Sequence, residues 1–293
     1  MIPFLITVDT EQDVAPHCKS YEGLDYIPLL LALFRKERVQ ATFFVTGSIA
    51  EEHPELFDHL ENHEIGCHGF YHELYGRKTP WLADGCELSI KKRKKLLIRA
   101  TDLLEEAAQE PIKGFRAPYF QVDEATLALL EELQYVYDSS VSTYRYGWPF
   151  QIYHPASDDR LAKGNMRLLE IPVSSDPFSE EIGHATLSYS RRHFRLNMAF
   201  LRLFGIERCI KSMENIKKFQ DFLHIPPFFV FWMHSWELHP DPPWKKNPSI
   251  PPYLHWNCHQ SLELLEGFIK EIKKRWRINF QTASDALEKR GDP

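Results

Sequence analysis

Short apolar runs alternate along the chain with longer segments whose apolar positions recur every third or fourth residue, and this pattern predicts strands followed by helices. "IPFLITV" (2–8) reads as a buried strand, and "LDYIPLLLALFRKE" (24–37) as a helix with Leu24, Ile27, Leu31 and Phe34 on one side. "ATFFVTG" (41–47) predicts a second strand, "AEEHPELFDHLENH" (50–63) a helix, and "EIGCHG" (64–69) a third strand ending in polar residues. A long helix is expected at "SIKKRKKLLIRATDLLEEAAQE" (89–110), a strand at "IKGFRAP" (112–118), and a helix at "DEATLALLEEL" (123–133) with Asp123 as its N-cap. A short strand follows at "YVYDSS" (135–140), and after "RLLEIPV" (167–173) and helical stretches between Arg191 and Leu223 comes the apolar run "FFVFWMH" (228–234). The amphipathic "QSLELLEGFIKEIKKRW" (260–276), a strand "INFQT" (278–282) and a helix near "SDALEK" (284–289) complete the series. Repeated β-α alternation predicts an α/β fold with a parallel sheet, open or closed into a barrel. At 293 residues, one large domain can hold the whole chain.

Loops at the carboxyl ends of parallel strands carry chemistry, because they vary while the strands hold them still. The ionisable residues at the predicted ends are Asp9 and Glu11, His68 and His72, Arg116, Asp138 and His234. In "CHGFYH", His68 and His72 have the spacing that brings two imidazoles together on one side of a helical turn. Two histidines and a carboxylate form a facial set that leaves metal positions open to water or substrate. In "TVDTEQD", Asp9 and Glu11 project to the same side of an extended segment and can share a centre. Asp13 can join them from the loop; the trio read alone is a hydrated turn.

Composition narrows the class. The formal charge is −6, with 43% hydrophobic and 13% aromatic residues, as in a soluble globular protein. Basic residues are dispersed except for "KKRKK" (91–95), a solvated helix face in preference to a phosphate or lipid contact, so nucleic acid is not an expected partner. Five cysteines with no C-x-x-C pair suit free thiols in a reducing compartment. The first residues show neither a basic start nor a cleavage site, and a cytoplasmic location is expected.

Five motifs, "TVDTE", "HGFYH", "FRAPY", "YDSS" and "FWMHS", stand in this order at strand ends. Together they resemble the polysaccharide deacetylase family (NodB-homology, carbohydrate esterase family 4), from residue 4 to about residue 285. The resemblance implies a distorted (β/α) barrel of the NodB type, a single domain holding one divalent metal ion. Zinc suits a His/His/carboxylate set, with cobalt, nickel or manganese as alternatives. Where the common form of the family has two adjacent aspartates, Thr10 follows Asp9 here, which resembles the D-x-D or D-x-E branch and makes Glu11 the implied ligand. By the same resemblance Glu11, His68 and His72 hold the metal, and Asp9 is the general base. Arg116 orients Asp9, the backbone N–H of Tyr119 helps hold the oxyanion, Pro118 fixes that turn, and His234 protonates the leaving nitrogen. Asp138 orients His234 or pairs with Arg116.

Two aromatic, proline-rich elaborations, about 142–167 and 236–257, follow residues of the catalytic end. They read as walls of a carbohydrate cleft, with Trp148 and Trp236 as sugar-ring contacts beside Pro118, or as rigid connections with partly buried rings. Residues 191–219 mix basic and aromatic positions and read as barrel helices in preference to a membrane-surface element. The expected function is metal-dependent removal of an N-acyl group, foremost N-acetyl, from an amino sugar of a surface polysaccharide or its precursor. Alternatives are deformylation of a lipid-linked aminosugar, and a non-catalytic carbohydrate-binding protein on the same barrel. A phosphate-ester metallohydrolase is a weaker rival, since one carboxylate and two histidines are thin for a two-metal site.

Overall fold

The strand β1 (Ile2–Thr10), buried from Phe4 onward, is the axis of a parallel sheet. The computed structural model describes residues 1–15, 17–76, 88–143, 149–178 and 194–290. β1 pairs with β2 (Ala41–Val45) through Ile6–Thr10 and with β9 (Phe229–His234) through Phe4–Asp9. At its start it also pairs with β10 (Ile278–Phe280). From β2 the sheet continues through β3 (Glu64–Cys67), β4 (Gly114–Phe115), β5 (Tyr137–Asp138) and β7 (Leu169–Glu170). A small parallel pair, β6 (Ser142–Thr143) and β8 (Val173–Ser174), extends the curl, and Ser174 Oγ accepts from Val230 N–H of β9. The result is an α/β half-barrel of the distorted (β/α) type expected. Its continuous apolar strands are what a parallel sheet covered by helices requires.

The helices are α1 (Ile27–Glu37), α2 (Gly47–Glu52), α3 (Ile90–Ala108), α4 (Glu124–Glu132), α5 (Met198–Phe222), α6 (Ser261–Arg275) and α7 (Ala283–Glu288). Ser89 and Asp123 cap α3 and α4, accepting from the N–H groups of Lys92 and Thr126. The predicted helix over 50–63 is broken, with α2 ending at Glu52 and a separate 3-10 turn running Pro54–His59. Pro54 has no N–H to continue the ladder and sits at the start of the new turn. In the basic run Lys91, Lys92 and Lys95 face solvent, but Arg93 turns inward to Asp123 and the Tyr75 carbonyl. Phe194, Leu196, Met198 and Leu201 are fully buried, so this part of 191–219 packs into the core. Among the described residues no helix is long and apolar enough to cross a membrane.

Candidate active site

Glu11 follows β1, and His68 and His72 follow β3, so the strand ends on either side of β2 deliver three donors to one point. Glu11 Oε2 lies 3.1 Å from His68 Nε2 and 2.5 Å from His72 Nε2. All three side chains are buried. Burial alone would raise the Glu11 carboxyl, but the imidazoles of His72 and His68 outweigh it and hold the group well below the usual carboxylate range. His68 Nδ1 donates to the Arg116 carbonyl at 2.7 Å, and its Nε2 faces Glu11 Oε2. His72 Nδ1 is buried with no partner among the described residues. An anionic oxygen and two imidazole nitrogens within 4.8 Å of one another fit a divalent metal ion, and a carbonyl behind one imidazole is the support such ligands need.

The helical turn expected for H-x-x-x-H is not what joins these imidazoles. Residues 68–72 form an open loop with Gly69 at φ 77° and His72 at φ 63°. Glu73 closes it, its carboxylate accepting from the N–H groups of Phe70 and Tyr71 and from the Tyr75 hydroxyl. The fold holds the two rings 5.1 Å apart by this backbone excursion, which periodicity does not encode.

Arg116 Nη1 donates to Asp9 Oδ1 and to Thr7 Oγ1, both at 2.8 Å, so Thr7 and Asp9 share one side of β1 as their spacing predicts. Its Nε and Nη2 go to the carbonyl and hydroxyl of Ser139, and the guanidinium lies 4.3 Å from the Phe44 ring centroid. This fully buried cation is the partner expected for Asp9. Opposite Asp9 in the β1–β9 register stands His234, whose Nε2 is 4.0 Å from Glu11 Oε1. Burial pushes the His234 pKa down, but its hydrogen bond to Glu237 and the charge of Glu11 overcome this and raise it.

Asp138 does not take the place expected for it. Its Oδ1 accepts from Ser140 Oγ at 2.6 Å and its carboxyl shares a hydrogen bond with Glu170. The carboxylate beside His234 is Glu237, with Oε2 3.2 Å from Nδ1 and Oε1 2.6 Å from Arg202 Nη2. The chain explains the exchange: Glu237 lies in the turn that follows β9 itself, three residues after His234. Asp138 instead supports the Pro118 turn, since Ser140 Oγ also accepts from Ala117 N–H.

Pro118 opens that turn, in which Tyr119 and Phe120 both have positive φ, and the Tyr119 ring meets His72 edge-on at 4.4 Å. Trp236, expected as a sugar contact, is 2% exposed, and its Nε1 donates to Glu11 Oε1 at 3.2 Å. It packs with Val14, Trp244 and Ile250 because the 236–257 segment folds inward as short 3-10 turns. Trp148 lies outside the described residues. Asp13 turns away from the metal ligands and accepts from the N–H groups of Glu22 and Gly23. Sequence reasoning missed Glu73, Glu170, Arg202 and Glu237. Only Glu73, adjacent to His72, and Glu237, three residues after His234, offered a local signal.

Residues 6–137 match the family model for polysaccharide deacetylase. A peptidoglycan deacetylase from Helicobacter pylori is 27% identical over 117 residues, covering 39% of this chain and 36% of that protein. Peptidoglycan-N-acetylmuramic acid deacetylase PdaA from Bacillus subtilis is 41% identical over 56 residues, covering 18% of this chain and 21% of that protein. The matches thus span little more than a third of these curated relatives, or less. A structure assigned to the polysaccharide deacetylases, from Mycobacterium smegmatis, superimposes with a TM-score of 0.62 at 20% identity, over 98% of this chain and 89% of that one. PuuE allantoinase superimposes at 0.59 and 16% identity, over 97% and 88%. The first half of the chain thus resembles the polysaccharide deacetylases in sequence, and the chain shares the fold of the solved structures.

Proposed function

We propose that the protein is a metal-dependent hydrolase that removes an N-acyl group, foremost N-acetyl, from an amino sugar of a polysaccharide or its precursor. The observation that carries this reading is the convergence of Glu11, His68 and His72 beside the Asp9–Arg116 pair and His234. The deacetylases among its relatives support the substrate class. Glu11 and the two histidines would hold a divalent ion, zinc foremost, which supplies positive charge to polarise an acyl oxygen and acidify water.

The remaining chemistry belongs to the chain. Asp9 removes a proton from the attacking water, and Arg116 orients that carboxylate. Pro118 sets the turn that presents the Tyr119 N–H toward the oxygen gaining charge. His234, held from behind by Glu237, gives a proton to the departing amine nitrogen.

The test is acetate or formate release by the zinc-loaded protein from N-acetylated and N-formylated sugars: peptidoglycan fragments, chitooligosaccharides and lipid-linked aminosugars. Asp9→Asn is expected to retain zinc and lose roughly 10²- to 10⁴-fold in kcat. Sugar binding without release of either acid from any of these would replace the enzyme with a binding protein.

A further inference from the structure

The turn Ser235–Leu238 touches both halves of the site. Trp236 Nε1 donates to Glu11 Oε1, while Glu11 Oε2 faces the two imidazoles, so each oxygen of this carboxylate has its own partner. The Trp236 ring also stacks on the His234 imidazole, with centroids 4.4 Å apart and planes inclined by 19°. One residue further, Glu237 Oε2 accepts from His234 N–H at 2.9 Å and lies 3.2 Å from His234 Nδ1. Arg202 of α5 donates to the other oxygen of Glu237, and Ser261 of α6 donates to its carbonyl at 2.6 Å.

The turn is braced from the N-terminal side as well. A Cβ at Gly23 would lie 2.5 Å from Trp236 Cα, so only glycine admits this approach, and Asp13 binds the Gly23 N–H. The third acid of "DTEQD" therefore backs the tryptophan that backs the second.

We propose that Ser235–Leu238 is a positioning turn that couples the metal ligand to the proton donor. Trp236 restrains Glu11 to ligation through Oε2 alone. Glu237, paired with Arg202, holds His234 with Nδ1 protonated and Nε2 facing the cleft. The role of His234 as proton donor rests on the function proposed above; the geometry of the turn does not.

Trp236→Phe keeps the ring and deletes the donor. Chelator competition on the zinc-loaded full chain is expected to show about 10- to 100-fold weaker zinc binding. Glu237→Gln is expected to lower kcat about 100-fold with KM and zinc affinity unchanged, a split that general loosening of the fold would not produce. A third measurement reads the wild-type protein: ¹⁵N shifts of the histidine-labelled chain report the His234 tautomer, with His234→Asn used only to assign the signal. Protonation at Nδ1 is expected. Wild-type zinc affinity in Trp236→Phe, wild-type kcat in Glu237→Gln, or a neutral imidazole protonated at Nε2 alone would each overturn the proposal. Zinc affinity and tautomer are read without substrate, so they decide the matter even for a chain that hydrolyses no N-acyl sugar.

Discussion

Glu11 and the Asp138–Glu170 pair are buried alike near the ends of one sheet, yet their pKa values move in opposite directions. Burial raises all three carboxyls. At Glu11 the imidazoles of His72 and His68 reverse that effect. At Glu170 burial is joined by the charge of Asp138, and together they drive its pKa well above the carboxylate range. Depth alone therefore does not mark a catalytic carboxylate; the charge that faces it does. One carboxylate faces two imidazoles, and the other pair supports a turn.

The largest way to break the contrast is to leave a charged carboxylate of the first cluster without its cation. Arg116→Met strands Asp9, which is 2% exposed, and is expected to cost about 3–5 kcal/mol in urea denaturation. A loss below about 1 kcal/mol would mean that the buried pair contributes no more than an exposed one. His68→Ala removes one imidazole from Glu11, and zinc binding should weaken beyond the 100-fold, about 3 kcal/mol, that outer partners of a metal typically control. Chelator competition reads this directly.

The smallest effect sharpens the second cluster. A folded pair whose pKa is raised binds a proton that the unfolded chain releases above its ordinary value of about 4.3. Native stability from this source is thus complete below that pH and is lost as pH rises toward the raised folded value. Glu170→Gln keeps an acceptor for Val141 N–H and removes the titration. Its melting temperature relative to wild type should match near pH 4 and rise by pH 8, by the equivalent of about 1 kcal/mol. A pH-independent difference would show that no proton is shared.

Much of the site was legible because its chemistry is written at strand ends. The apolar runs before Asp9, His68, Arg116 and His234 are local patterns, and each became a parallel strand with its polar residue at the carboxyl end. The break at Pro54 was legible too, had the proline been weighed above the periodicity around it. The exchange of Asp138 for Glu237 was not, since it turns on which group each carboxylate faces in the fold. Nor was the inward fold of Trp236, which a tryptophan in a proline-rich segment does not reveal.

By itself the sequence determined the succession of strands and helices, the residue types at the strand ends, and hence the kind of chemistry available. Periodicity and turn residues act over a few positions, so a linear reading carries them. Only the tertiary structure decided which group each charge faces: Glu11 to the imidazoles, Asp138 to Glu170, His234 to Glu237 and Arg202. Charge pairing acts over a few ångströms between segments as distant in the chain as Arg202 and Glu237, and no local pattern specifies that distance.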